Sequence, residues 1–361
     1  SKYISYSDYK LNDIKIDLSH ENSNDELLKV WVKNVTQKDS IKLRNFDADL
    51  FISTNQVNYQ INLNDSIRSL VVELNGNLNI NSFYNYQFTF DSSFISDKTG
   101  PIYIKEGNFL NIDSGEVFIN NLLLYRDQDS LLLSGVISNS NNAGIDILAS
   151  DFNLANINGY LNLDEESKLG GIVNGKFKLY NLLKVPTIES DLKIDRFSFG
   201  EDTVGDVILE SEIDRSLNEI WLKGRIINGL FSNLRLDGKV NLAGKNNLNL
   251  TLNLDPSELK IVKFFMGDLI SNITGTIEGD LRVTGSINSP ELKGKMLVRS
   301  GAFTFDYLKT RYYFSSIIDI NNKEFYFNPF SIADENGKTA NAFGTLKHDN
   351  FSNFDIDFSV E

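Results

Sequence analysis

The chain has 361 residues, with 35 Lys and Arg against 49 Asp and Glu, and a formal net charge of -14 at pH 7. This acidic balance argues against nucleic acid as a partner, because phosphate binding needs a clustered basic surface. With no Cys and only two His, the chain lacks the residues for disulfides, thiolate catalysis and multi-histidine metal sites. We therefore expect neither an enzyme nor a bound metal or cofactor.

Alternation of apolar and polar residues, the period of a strand with one apolar face, begins at Ile14–Leu18 and recurs along the chain. In the first half, Leu74, Leu78 and Ile80 fall on one side of such a run. Strands buried in a parallel sheet would be apolar throughout, so the alternation favours antiparallel pairing. The sequence therefore predicts an all-β fold.

Glycines punctuate these runs. The pairs Asn174–Gly175, Asp237–Gly238 and Asn336–Gly337 predict turns at intervals typical of hairpins. Other glycines precede an apolar-x-apolar motif, and a glycine on the apolar face lets a sheet bend or take a bulge. We therefore predict an elongated, curved and mostly antiparallel sheet.

The clearest alternation lies between residues 234 and 287. Such an apolar face must be covered by a second sheet, by closure into a barrel, or by an apolar ligand. The alternation by itself is also compatible with a dry sandwich core. The residues that we predict to line the apolar surface are Leu74, Leu78, Ile80, Leu234, Leu236, Leu248, Leu250, Leu252, Leu254, Ile277, Leu281, Val283 and Ile287.

Residues 256–270 have a helical period. Asp255 is suited to the N-cap, Pro256 to the first helical position and Glu258 to a capping box. We predict an amphipathic helix of about four turns that acts as a lid on the sheet or as a gate. Its apolar stripe, at three- and four-residue spacing, consists of Leu259, Val262, Phe265, Met266 and Leu269.

The chain has no Pro-rich linker, Ser/Gly tract or charge block that would separate domains. We therefore predict one continuous β segment over residues 1–361. If it is subdivided, the expected sub-units are 1–150, 151–254 and 271–361, with the predicted helix 256–270 between the last two. Because the chain begins without Met and ends in an alternating run, we expect it to be a fragment of a longer protein.

Three stretches carry a resemblance to a known family. They are the strand-like Lys42–Leu50, the segment from Gly107 to Ile157 with its Ser-Gly and Asp-Phe pairs, and Ile273–Gly294 after the predicted helix. Together they resemble the AsmA-like/TamB family of envelope proteins in a Bacteroidota-like version. The order of Gly-x-apolar and Pro-x-apolar-x-Gly motifs in Ile273–Gly294 is similar to the C-terminal half of TamB.

This resemblance implies a long sheet folded lengthwise into an open apolar groove, a β-taco, that carries phospholipid acyl chains between the inner and outer membranes. It implies the periplasm of a Gram-negative bacterium as the location. It also implies an inner-membrane anchor outside this chain and an outer-membrane barrel protein of the BamA/TamA type as a partner. No catalytic residue is implied.

Two other functions are compatible with the sequence. The chain could be a scaffold that assists outer-membrane protein assembly by pairing an exposed strand edge. It could also be a secreted β-rich adhesin or carbohydrate binder. The acidic pairs Asp127/Asp129 and Asp334/Glu335 do not continue into a calcium-binding loop, so we expect solvated turns there.

Overall fold

A computed structural model describes residues 3–22, 25–37, 40–65, 69–140, 143–158, 163, 168–183, 186–214, 216–229, 231, 233–242, 247–262, 270–286, 289–349 and 352–361. The described strands, 25 in number, are assigned to one hydrogen-bonded sheet. Neighbouring strands pair antiparallel, as the strand Leu248–Glu258 does with Asn233–Asn241 and with Ile270–Ser286. The predicted all-β, antiparallel fold is therefore confirmed.

The chain divides into two compact units. The first comprises Ser1–Asn162 and Val173–Ile188. Its strands are β1 Tyr3–Tyr6, β2 Tyr9–Asn22, β3 Asp25–Gln37, β4 Ser40–Ile52, β5 Gln56–Asp65, β6 Leu70–Ser82, β7 Asn85–Phe90, β8 Ser93–Asp97, β9 Gly100–Ile104, β10 Phe109–Asp113, β11 Glu116–Arg126, β12 Asp129–Ile137 and β13 Gly144–Asn153. A 3-10 turn, Leu154–Ile157, follows β13.

The second unit comprises Leu163–Ile172 and Glu189–Glu361. Two strands, β14 Leu169–Tyr180 and β15 Thr187–Phe199, have residues in both units. A 3-10 turn, Leu259–Val262, follows β19. The later strands are β15 Thr187–Phe199, β16 Asp202–Asp214, β17 Glu219–Ile227, β18 Asn233–Asn241, β19 Leu248–Glu258, β20 Ile270–Ser286, β21 Ser289–Phe305, β22 Thr310–Ile320, β23 Glu324–Asp334, β24 Thr339–Asp349 and β25 Ser352–Val360.

The alternation of the sequence becomes an alternation of burial. Along β5 the exposed residues, such as Gln56 and Asn58, carry amide side chains. Tyr59 and Leu63, which alternate with the exposed residues, are buried. Successive side chains of a strand point to opposite faces, so β5 contributes apolar side chains to one face of the sheet and amides to the other. The sheet therefore has an apolar face and a polar face in each unit.

Several strands contain a residue with left-handed backbone geometry whose amide is bound by a side chain of the next strand. A left-handed residue in a strand turns its N–H out of the ladder, and a buried or half-buried N–H needs an acceptor. The N–H groups and their acceptors are Asn121 with Ser134 Oγ at 3.2 Å, Asp151 with Asn174 Oδ1 at 2.8 Å, Arg196 with Asp206 Oδ1 at 2.8 Å, and Ser300 with Ser315 Oγ at 3.1 Å.

Three of these sites coincide with β-bulges. The pairing register shifts around Asn121, Arg196 and Ser300, where β11, β15 and β21 each carry extra residues. A bulge increases the local twist and bends the strand. The recurring acceptor side chains therefore stabilise the places where strands depart from regular pairing.

We expect Asn174→Ala to lower the free energy of unfolding by about 1 to 2 kcal/mol, because the exchange would remove a reciprocal pair of hydrogen bonds. Asn174 Oδ1 accepts from the Asp151 amide at 2.8 Å, and its Nδ2 donates to Asp151 Oδ1 at 3.1 Å. Urea unfolding followed by circular dichroism measures the change. The control Asn58→Ala, on the exposed side of β5, should cost less than about 0.5 kcal/mol; equal effects would contradict this role of Asn174.

The structure corrects two of the predicted turns. Asn174–Gly175 lies inside β14 and Asp237–Gly238 lies inside β18. Gly238 has φ +147°, and a Cβ there would lie 2.3 Å from the Asn249 carbonyl oxygen of the neighbouring strand. The glycine therefore permits a close approach of two strands and not a chain reversal. Asn336–Gly337 does lie in a turn, where the Gly337 amide donates to the Asp334 carbonyl at 3.0 Å.

The predicted helix 256–270 is wrong at its beginning. Residues 255–258 belong to β19, and Ser257 and Glu258 pair with Ile277 and Thr276 of β20. The pairing register shifts between Leu254 and Ser257, and a proline is tolerated in a strand at such a bulge because no ladder N–H is required there. Leu259–Val262 form a 3-10 turn, and residues 263–269 lie outside the described residues.

Candidate functional site

Three leucines on neighbouring strands of the second unit form the centre of an apolar surface. Leu252 of β19 pairs with Leu236 of β18 on one side and with Leu281 of β20 on the other. Directly paired residues of antiparallel strands place their side chains on the same face. The three side chains are half-buried, so apolar surface remains accessible along this row.

Further rows extend the surface along the strands. Leu254 lies between Leu234 and Gly279, and Leu250 lies between Gly238 and Val283. Beyond them Leu248 pairs with Val240, and Ile277 pairs with Val298. The structure thus places the described second-unit residues of the predicted lining on one face of β18, β19 and β20, and Ile287 lies outside the described residues.

Two apolar clusters anchor this surface. Leu254 and Ile277 belong to one cluster, and Leu250 and Val283 belong to the other. Leu292 of β21 packs against both. Leu236 and Leu252 pack against the second cluster and Leu281 packs against the first, so the half-buried row lies between the two buried clusters.

The opposite face of the same strands is polar and cross-linked. Lys239 and Glu219 form an ion pair at 2.9 Å, with the Lys239 ammonium 5.4 Å from the centre of the Trp221 ring. Asn253 Nδ2 donates to Asp280 Oδ1 at 2.6 Å. Glu219 is buried and Lys239 is half-buried, so this pair links β17 to β18 on the polar face.

Leu74, Leu78 and Ile80 belong to the first unit. Leu74 pairs with Ile61, and Leu78 lies between Val57 and Phe88, while Ile80 pairs with Tyr86; all are on the apolar face of β5, β6 and β7. The sequence-based selection missed the buried Tyr59 and Leu63 of β5. The strict alternation of Gln56–Asp65 is the signal that could have identified them.

The predicted gate residues are only partly described. Leu259 is 3 % exposed and packs in the cluster that contains Leu254 and Ile273. It lies in a 3-10 turn and not in the predicted helix, and its role as a lid or gate stays a prediction. The side chains of Val262, Phe265, Met266 and Leu269 lie outside the described residues.

Tyr59 closes a gap over a glycine on the apolar face. It pairs with Gly76, and its hydroxyl donates to the Thr89 carbonyl at 2.8 Å. A Cβ on Gly76 would lie 2.6 Å from the Tyr59 hydroxyl oxygen, so the glycine makes room for the ring. Burial, and secondarily the negative charge of Asp91, raises the pKa of Tyr59 to about 12.

This raised pKa predicts a loss of stability at high pH. The Tyr59 phenol keeps its proton more strongly in the folded chain than in the unfolded chain, so its contribution is fully present below pH 10 and is lost as the pH rises towards 12. We expect Tyr59→Phe to show a smaller fall of urea midpoint between pH 10 and 12 than the wild type does. Tyr84→Phe, at an exposed tyrosine, should behave as the wild type, and an identical fall in all three would contradict the prediction.

One carboxylate of each acidic pair accepts hydrogen bonds from a nearby turn. Asp334 Oδ1 accepts hydrogen bonds from the backbone amides of Asn336 and Lys338 at 2.9 and 2.8 Å. These hydrogen bonds lower the pKa of Asp334, and the one from Lys338 has the largest effect. Asp129 Oδ2 accepts from Asn156 Nδ2 at 2.8 Å. Within the described ranges, no group of three His, Cys, Asp or Glu side chains is arranged to hold a metal ion.

Comparisons with known proteins add one finding. A family model described as "TamB, N-terminal domain" matches residues 1–298, which include the three stretches that carry the sequence resemblance. The matched model is that of the N-terminal domain, whereas the resemblance of Ile273–Gly294 was to the C-terminal half. No curated protein and no solved structure matches the chain. In the described part of the chain, no helix has the length and apolar character needed to cross a membrane.

Proposed function

This chain belongs to the TamB family, a family of Gram-negative envelope proteins, and from that premise we propose that it carries phospholipid acyl chains along the apolar face of its sheet. In this proposal the chain is a conduit in the periplasm, between the inner and outer membranes. The sheet curves into an open groove, and no side chain has a catalytic role.

The observation that carries the proposal is the half-buried row of Leu236, Leu252 and Leu281. The described strands belong to one sheet, so no separate second sheet among the described residues covers this row. An acyl chain laid on such a surface gains about 0.8 kcal/mol for each CH₂ removed from water. Because this gain needs no directional contacts, a lining of Leu, Ile and Val is sufficient for transport.

The first unit supports the same function by its own apolar face. Leu74, Leu78 and Ile80 are flanked by apolar partners on β5 and β7, and Ile80 is 37 % exposed. The proposal therefore includes both units as lipid-binding segments. It further includes an inner-membrane anchor in the full-length protein and an outer-membrane barrel partner of the BamA/TamA type.

Native mass spectrometry of the purified chain, followed by lipid extraction, tests the proposal. We expect phospholipid to copurify with the chain and to be released by organic solvent. A lipid-free chain that also takes up no phospholipid from vesicles would contradict the proposal. Capture of an outer-membrane barrel by such a lipid-free chain would favour the assembly scaffold instead.

A further inference from the structure

One region of the first unit has adjacent apolar residues on the face that carries the amides of β5. The polar face of β5 consists of amides such as Gln56, Asn58 and Gln60. In contrast, β11 and β12 each contain three consecutive leucines, at 122–124 and 131–133. A strand that is apolar on both faces is typical of a strand covered on both sides.

The pairing registers place these residues together. Phe94, Tyr103 and Tyr125 form one row across β8, β9 and β11. A second row, two residues farther along the strands, crosses β11, β12 and β13 and consists of Leu123, Leu132 and Leu148. We define these six side chains as the outer patch.

The outer patch lies on the side opposite to the apolar face. The inward neighbours of its residues are Ile104 and Ala149, which are 8 % and 2 % exposed. Tyr103, Tyr125 and Leu148 of the outer patch are 41 %, 38 % and 38 % exposed. Phe94, Leu123 and Leu132 are half-buried, so the outer patch combines exposed and half-buried apolar side chains on this side.

Aromatic contacts give the outer patch a defined surface. The rings of Tyr103 and Tyr125 have centres 5.6 Å apart with an interplanar angle of 32°, and Phe94 lies 6.0 Å from Tyr103. Contiguous exposed apolar groups of this kind mark interaction sites on soluble surfaces. Tyr in particular is enriched at protein interfaces, because its ring is apolar and its hydroxyl stays hydrated.

We propose that the outer patch binds an amphipathic helix of a partner protein, with apolar side chains on one face of the helix and basic side chains at its margins. The outer patch extends over four strand spacings, about 19 Å, and is two rows wide. Its length of about 19 Å equals the length of about 13 helical residues. Such a helix buries its apolar face against a complementary apolar surface.

The negative charge of the chain favours a basic helix over a second copy of the chain or an anionic bilayer as the occupant of the outer patch. Glu73 pairs with Phe94 at one end of the outer patch, and exposed Asp127 follows Tyr125 by two residues. Exposed Lys105, whose amide donates to the Leu123 carbonyl at 2.9 Å, lies beside the second row, so the local charges are mixed and the preference rests on the charge of the whole chain. The whole chain carries a net charge of -14. This charge opposes a second copy of the chain or an anionic bilayer and attracts a basic segment.

Binding of two synthetic peptides tests the inference. Both are helices of about 14 residues with the same leucine face; one carries Lys and the other Glu on the polar face. Calorimetry with the full chain should show binding of the Lys peptide and at least about tenfold weaker binding of the Glu peptide. Equal affinities would overturn the proposed charge preference.

Variants locate the binding surface. The double variant Tyr103→Thr/Leu148→Thr keeps β-forming residues and should bind the Lys peptide at least about tenfold more weakly. The matched control is Phe51→Thr, at a ring 41 % exposed on β4 whose neighbour Asn58 is on the polar face of β5. It should bind within about twofold of the wild type. Equal affinity of the double variant, at unchanged circular dichroism, would overturn the inference.

Two further measurements separate this inference from the proposed function. The double variant should retain the phospholipid content of the wild type, because its substitutions lie on the opposite face. Sedimentation should show a monomer for both. A wild-type dimer that the double variant dissociates, or patch-dependent binding to phosphatidylcholine vesicles, would assign the outer patch to a second copy or a bilayer and overturn the helix as its occupant.

Discussion

Leu252→Asp is expected to reduce the phospholipid that copurifies with the chain at least about tenfold. Leu252 lies in the middle of the half-buried row, between Leu236 and Leu281. A carboxylate in that position would have to lose its hydration against an acyl chain, which costs several kcal/mol unless a partner compensates it. Native mass spectrometry gives the lipid content of variant and wild type.

Thr251→Asp is the matched control, because residue 251 is exposed on the opposite face of the same strand. It introduces the same charge one residue away and should leave the lipid content unchanged. Equal melting temperatures would show that both variants fold. Full lipid content in a folded Leu252→Asp variant would contradict the apolar face of β18, β19 and β20 as the lipid-binding surface.

Gly238→Ala is expected to lower the free energy of unfolding by about 3 to 5 kcal/mol. At φ +147° an L-residue is strained, and its Cβ would lie 2.3 Å from the Asn249 carbonyl oxygen and 2.8 Å from the Leu250 Cα. Both are backbone atoms of β19, so relief requires that two strands separate in the middle of the sheet. Urea unfolding monitored by tryptophan fluorescence measures the loss.

Gly224→Ala provides the comparison on the neighbouring strand β17. Gly224 has no left-handed geometry, and a Cβ there would lie 3.2 Å from the Leu236 side chain, which can move slightly. We expect a change of less than about 1 kcal/mol for this variant. A Gly238→Ala variant as stable as Gly224→Ala would mean that β18 and β19 do not approach each other as closely as described.

Two glycines that affect stability lie within the apolar surface of β18, β19 and β20. Gly238 and Gly279 lie in the same rows as Leu250 and Leu254. A Cβ at either position would meet the backbone of the neighbouring strand and, at Gly279, also the Met296 side chain. Large side chains from adjacent strands lie over several such positions, as Tyr59 does over Gly76. A glycine covered in this way permits a bend without opening a cavity.

The local sequence pattern correctly predicted which residues form the apolar face of β19, but it wrongly predicted a helix start at residues 255–258. Leu248, Leu250, Leu252 and Leu254 occupy one face, as their alternation predicted. Asp255–Glu258 has the residues of a helix start, yet it forms the end of β19. The Asp255 carboxylate accepts from Arg235 at 3.1 Å and from Asn233, a cross-strand role that no local pattern shows.

The outer patch, too, was only partly predictable from the sequence. The consecutive leucines at 122–124 and 131–133 were present in the sequence as a departure from alternation. Whether they form a surface depended on register, because only the pairing of Leu123 with Leu132, and of Tyr125 with Tyr103, brings the exposed and half-buried side chains of the outer patch into two adjacent rows. A one-residue shift would have turned each side chain to the other face.

The sequence by itself determined the all-β class and the apolar side of each strand, because a period of two is a property of consecutive residues. Only the tertiary structure decided that Leu236, Leu252 and Leu281 are neighbours, that Gly238 is a contact between strands, and that Pro256 lies at a bulge. The physical reason is that these features depend on hydrogen bonds between strands. Their partners are set by the register of the whole sheet and not by the residues next to them in the chain.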